Sequence, residues 1–125
     1  MPFGAAADPL YARGLHEFRV GRYFEAHEEW ERLWKTASGD DRLFLQGLIQ
    51  LAAGLVHLER RRPAPALRLL RLAREKLARF PDLHGGLPLD SLRHVLDARI
   101  AGGGKSADIG PLAGVFGLTQ SNKGT

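Results

Sequence analysis

The chain has no cysteine among its 125 residues, and this absence removes several functional classes at once. Without a thiol, the protein can form no disulfide bond, no thiolate metal site and no cysteine nucleophile. No apolar run approaches the roughly 18 residues that span a bilayer. The N-terminal stretch also lacks the basic and apolar regions of a signal peptide. We therefore expect a cytosolic protein that does not enter membranes.

Recognisable catalytic motifs are also missing. No serine stands in the glycine-flanked turn of a hydrolase nucleophile. The Gly-Lys-Ser triplet at 104–106 lacks both the spacing and the preceding strand of a phosphate-binding loop. No segment shows the alternation of polar and apolar residues that is typical of a β-strand. These absences favour an all-α protein and leave open whether the chain is an enzyme.

Helical periodicity, by contrast, covers most of the chain. It predicts about five helices, over residues 9–20, 22–37, 41–61, 64–79 and 90–101. Short links between them predict a compact array of mostly antiparallel neighbours. The helix at 41–61 is apolar on nearly every side, so we expect it to be buried at the centre. Residues 1–104 then form a single helical domain, and 105–125 form a Gly-rich tail that is partly packed or flexible.

The predicted helix ends carry familiar signals. Asp8, followed by a proline, is expected to cap the first helix. Gly21 is expected to end this helix in a left-handed conformation. The turn around Ser38 can cap the third helix, and Asp90 can cap the fifth.

A polar stripe interrupts the apolar third helix. Its residues recur at helical spacing and therefore share one face, and the second helix carries a shorter polar line of its own. We call the two lines together the polar seam, which consists of His27, Glu28, Glu31, Gln46, Gln50 and His57. If the two helices form an antiparallel hairpin, the lines face each other. A buried amide or imidazole without a partner costs about 1–3 kcal/mol, so these groups need partners or a wet cleft.

Two interpretations of the polar seam stay open. In the structural one, Glu31 pairs with His27 or His57, and the amides complete a network that fixes the helix register. In the functional one, the seam lines a pocket for a small molecule or a divalent metal, whose ligands would be His27, Glu31 and His57. An acid–base role has five candidate residues: His27, Glu28, Glu31, Gln50 and His57. The spacing differs from the His-Glu-x-x-His zinc motif.

An alternative of a different class is a non-enzymatic interaction module. The formal charge is +4, and the excess of basic residues is concentrated in the fourth helix. Its exposed face could bind nucleic acid or an acidic protein through Arg68, Arg71, Arg74 and Arg79. A homo-oligomer is equally compatible with the sequence. The remaining histidines, His16, His84 and His94, are expected to be plain surface residues.

Two motifs in this order resemble a known family. The first runs from Phe18 to Trp34 and contains Glu-Ala-His-Glu-x-x-Glu, and the second is Gln-Gly-Leu-Ile-Gln-Leu-Ala at 46–52. This pattern is similar to that of the helical family termed domain of unknown function 309. The resemblance covers about residues 10–80. It implies a compact all-α fold and carries no activity with it.

Overall fold

A computed structural model describes residues 3–103. Five α-helices follow a short 3-10 helix (Gly4–Ala7): α1 (Pro9–Arg19), α2 (Tyr23–Trp34), α3 (Gly39–Glu59), α4 (Pro63–Leu77) and α5 (Leu89–Ala101). These helices confirm the predicted all-α class. The proposed tail at 105–125 lies outside the described residues.

Helix α3 is the centre of the fold, as its composition predicts. It packs against α4 on one side and against α2 on the other. Most of its large apolar side chains are buried, including Phe44, Leu48 and Leu55. Although α3 is also the longest helix, no helix within residues 3–103 is long and apolar enough to cross a membrane. The apolar sides of α3 are covered by the neighbouring helices, while its polar stripe is only partly buried.

The contact between α3 and α4 depends on a small residue. A Cβ atom placed on Gly54 would lie 2.8 Å from the Cδ2 atom of Leu70, which is closer than real Cβ contacts allow. The side chain of Leu70 is itself completely buried. Gly54 therefore lets the two helices approach at a distance that any larger residue would increase.

The helix ends agree with some of the predicted signals and not with others. Asp8 caps α1 as expected, because its carboxylate accepts a hydrogen bond of 2.9 Å from the backbone nitrogen of Leu10. Gly21 follows α1 with a φ of 84°, the left-handed value predicted for it. Ser38 precedes α3, but its side chain makes no capping hydrogen bond. The cap predicted at Asp90 is wrong, since α5 already begins at Leu89.

Between α4 and α5 lies a small antiparallel hairpin that the periodicity did not predict. Its strands are β1 (Leu83–His84) and β2 (Leu87–Pro88), with His84 opposite Leu87. Strands of two residues are too short to show a polar–apolar alternation. The hairpin is held against α1 because the Tyr11 hydroxyl donates a hydrogen bond to the carbonyl of Gly85. This contact turns the hairpin inward, toward the first turn of α3.

Candidate functional site

The α2 side of the polar seam is only partly buried. His27 and Glu31 lie one turn apart, with 3.9 Å between the imidazole Nε2 and a carboxylate oxygen. Their side chains are 23% and 48% exposed, so this long approach near the surface has little energetic weight. Glu28 is exposed on the adjoining face. The carboxylates of α2 therefore face solvent more than they face α3.

The α3 side of the polar seam is partly buried and poorly satisfied. Gln46, Gln50 and His57 all have intermediate exposure. Within the described chain, the Oε1 atom of Gln50 and the Nδ1 atoms of His27 and His57 are buried without a hydrogen-bond partner. The network required by the structural interpretation would have given these atoms partners. Buried polar atoms without a hydrogen-bond partner are uncommon in folded proteins, so these three atoms need an explanation.

A pocket between α2 and α3 brings part of the polar seam together. We call it the α2–α3 pocket; its volume is about 190 Å³, and it is lined by Phe24, His27, Ala53, Val56, His57 and Arg60. The two histidines predicted to face each other therefore border one space. Glu28, Glu31 and Gln50 are absent from its lining. Gln46 instead borders a separate cavity with Trp34, over whose ring Arg42 lies at 3.8 Å.

The α2–α3 pocket is lined by aromatic, aliphatic and nitrogen-containing side chains. Phe24 is 48% exposed at its border, and its ring lies nearly parallel to that of His27, with 5.9 Å between the ring centres. Arg60 adds a guanidinium just after the last turn of α3. No carboxylate lines the pocket. Its polar groups are a guanidinium and two imidazoles, and its other walls are apolar or aromatic.

A metal ion is a poor fit to this arrangement. Among residues 3–103, no group of three or more His, Asp or Glu side chains is placed so that it could hold a metal. The α2–α3 pocket supplies two imidazoles, whereas protein metal sites commonly use three or four protein ligands. The three ligands suggested by the spacing of His27, Glu31 and His57 thus do not form a cage.

A second and larger cavity has no counterpart in the polar seam. It lies between the 3-10 helix, the start of α3 and the link between α4 and β1, and we call it the hairpin cavity. Its volume is about 670 Å³, and its lining is Gly4, Ser38, Asp40, Asp41, Leu43, Arg79, Phe80, Pro81 and His84. Sequence reasoning named Arg79 as part of a basic face but did not bring these residues together in one site. The available signal was the Gly85-Gly86 turn between two leucines, which folds His84 back toward Phe80.

His84 contradicts the expectation of a plain surface residue. It is only 7% exposed, and its ring lies 4.7 Å from that of Phe44 and 4.8 Å from that of Phe80. Burial lowers the pKa of this imidazole, and the nearby carboxylate of Asp41 opposes that shift in part. Its Nε2 atom has no hydrogen-bond partner among the described residues. His16 and His94, by contrast, are exposed as predicted.

The arginines of α4 do not form one uniform face. Arg74 makes two hydrogen bonds to the Asp97 carboxylate, at 2.7 and 3.1 Å, and this contact lowers the pKa of Asp97. Arg68 and Arg71 are exposed and have no ion pair within residues 3–103. Arg79 borders the hairpin cavity. The basic surface available to a partner is therefore narrower than the sequence suggests.

Comparison with known proteins agrees with the resemblance found in the motifs. Residues 11–69 match the family described as "Domain of unknown function (DUF309)". The match covers the part of the chain that runs from α1 into α4. That part contains the α2–α3 pocket, while the hairpin cavity is completed by residues beyond it. A comparison with curated proteins finds no match.

Proposed function

We propose that the protein binds a small organic anion in the α2–α3 pocket. The ligand class is an alkyl or aryl carboxylate or phosphate, whose charged group meets the two imidazoles and Arg60. The observation that carries this proposal is the pairing of His27 and His57 in one pocket, each with a buried ring nitrogen that lacks a partner.

The charges of the pocket support an anion over a cation. Arg60 is a permanent cation, and an imidazole nitrogen that bears hydrogen donates to oxygen. No carboxylate lines the pocket, so the side chains that border it would not repel a ligand anion. A ligand oxygen would therefore satisfy groups that the protein leaves open.

The apolar part of the ligand follows from the other walls. Ala53 and Val56 border the pocket, and the half-exposed ring of Phe24 lies over one side of it. A flat or branched apolar group would bury this surface at roughly 25 cal/mol per Å². The volume of about 190 Å³ suits a molecule of the size of a substituted benzene ring.

Binding requires a small adjustment of the side chains. The Nδ1 atoms of His27 and His57 are shielded from solvent, so each ring must turn to present them to a ligand. Glu31 lies beside the Nε2 atom of His27 and would hold the turned ring in place. In this proposal Glu31 is a positioning residue, while Glu28 and Gln50 have no direct part.

Calorimetric titration with phenyl phosphate and with benzoate tests the proposal. The native chain should bind at least one of them with a single site. His57→Ala and Arg60→Gln should each weaken binding by about tenfold, the loss expected for one charge-assisted hydrogen bond. The matched controls His16→Ala and Arg13→Gln, at exposed positions of α1, should bind as the native chain does. Equal weakening by the controls, or no binding to either probe, would reject this function.

A second candidate function rests on the basic surface of α4. We infer that Arg68 and Arg71, exposed and without an ion pair in the described chain, can contact a polyanion such as nucleic acid. Arg74 is occupied by Asp97 and contributes less. Binding to a short RNA should weaken steeply with salt and should be lost in Arg68→Glu/Arg71→Glu. Binding that the double variant leaves unchanged would remove this candidate.

A further inference from the structure

We propose that the hairpin cavity is a second binding site, for a small zwitterion of the amino-acid or dipeptide type. The ammonium group of the ligand would meet the carboxylates at the start of α3, and its carboxylate would meet the guanidinium of Arg79. This site is independent of the α2–α3 pocket and shares no lining residue with it.

Charges of both signs line the cavity, but Arg79 forms no ion pair with either carboxylate in the described part of the chain. Asp40 and Arg79 line the same space, yet within residues 3–103 neither side chain makes a hydrogen bond or an ion pair. Asp41 uses one oxygen to accept the backbone N–H of Gly4 at 3.3 Å. Opposite charges held apart across a cavity complement a ligand that carries both charges in reversed order.

Two uncharged polar side chains, His84 and Ser38, also line the cavity and could contact such a ligand. His84 is nine-tenths buried and lines the cavity, and its Nε2 atom lacks a partner. Ser38 adds a hydroxyl that is not used to cap α3. A turn of the His84 ring would let Nε2 bond to the ligand, which would remove the cost of leaving this atom unsatisfied.

The apolar walls indicate a ligand with an apolar side chain. Leu43, Phe80 and Pro81 border the cavity beside the charged groups. A volume of about 670 Å³ exceeds that needed for one amino acid and has room for a dipeptide. An aliphatic ligand side chain packed against Phe80 would bury apolar surface and so add to the affinity that the polar contacts provide.

Titration of the full chain by NMR tests this site with four probes. Leucine and the dipeptide Leu-Leu carry both charges, N-acetyl-leucine lacks the cation, and leucine amide lacks the anion. Saturable shifts of the His84 ring and of the Asp40 and Arg79 amides are expected with at least one zwitterion. Each blocked analogue should bind about tenfold more weakly, since one charged contact is lost.

Variants distinguish this site from general ionic effects. Asp40→Asn and Arg79→Gln should each weaken binding of the zwitterion by about tenfold, and both positions are exposed enough to leave the fold intact. Asp90→Asn and Arg71→Gln change the same charges at exposed positions outside the cavity and should bind as the native chain does. Blocked analogues that bind as well as the zwitterions, or no saturable shift with any probe, would overturn the proposal.

Discussion

The indole ring of Trp30 lies directly against the backbone of Gly14, and this contact joins α2 to α1. A Cβ atom on Gly14 would come within 2.0 Å of the indole Nε1 atom. That same nitrogen donates a hydrogen bond of 3.2 Å to the carbonyl of Tyr11, one turn earlier in α1. Trp30 is completely buried. The position of α2, and with it that of His27, thus depends on the absence of a side chain at residue 14.

Gly14→Ala should lower the free energy of unfolding by about 1–3 kcal/mol, the usual cost of forcing extra volume into a packed core. The added methyl group has no room unless the indole moves and its hydrogen bond breaks. Urea denaturation followed by tryptophan fluorescence measures the change. Arg13→Ala, at the exposed neighbouring position, should stay within about 0.5 kcal/mol of the native chain. Equal stability of the two variants would contradict the close contact.

Tyr11→Phe should destabilise the fold by about 1 kcal/mol, because it removes the hydrogen bond that holds the hairpin against α1. Tyr23→Phe is the matched control. Tyr23 is equally buried, but its hydroxyl makes no hydrogen bond in the described part of the chain. Its loss should cost less than about 0.5 kcal/mol. Thermal unfolding by circular dichroism compares the two, and a larger cost at Tyr23 would refute the assigned role of Tyr11.

Acidification should destabilise the protein through His84. Its folded-state pKa lies below the usual 6.5, so the unfolded chain binds this proton more readily than the folded one. The stability it contributes is complete above pH 6.5 and is lost as pH falls from there toward the folded pKa. His84→Phe should flatten this dependence between about pH 7.5 and about pH 5.5, whereas His94→Gln should keep it. Denaturant unfolding at a series of pH values measures this dependence. If the unfolding free energy of His84→Phe changes with pH as much as that of the native chain, His84 is not the source of the dependence.

Two arginine contacts should differ in energetic weight. Arg93 is 15% exposed and donates to the carbonyls of Leu77 and Phe80 as well as to Asp82, so it satisfies groups at the end of α4. Arg93→Met should cost about 2–3 kcal/mol. Arg74 is 31% exposed and, in the described chain, pairs only with Asp97, so Arg74→Met should cost less than about 1 kcal/mol. Chemical denaturation at low and high salt would show this ranking, and the reverse ranking would contradict it.

The ends of α1 and the burial of α3 could be predicted from the residue types found there. Asp8 and Gly21 mark the ends of α1 by local chemistry, and α3 is apolar all round, so its burial follows from composition. The hairpin had one local signal, the Gly85-Gly86 turn, because its two-residue strands are too short to show a pattern. Its position against α1 involves a long-range hydrogen bond from Tyr11, which no window of sequence around residue 85 contains.

Helical spacing predicted only part of the candidate site. Spacing placed His27 and His57 on facing helices, and both do line the α2–α3 pocket. It could not give the rotation of α2, which leaves the side chain of Glu31 48% exposed. The hairpin cavity was beyond this reasoning, because residues as distant in sequence as Gly4 and His84 form it together.

The central claim is that His27 and His57 bind one anion together, and the most direct measurement is NMR of their imidazole resonances during titration with phenyl phosphate. Both sets of resonances should shift with one common dissociation constant, while those of the exposed His16 and His94 stay in place. Shifts that are absent at His27 and His57, or that are equal at all four histidines, would contradict the claim.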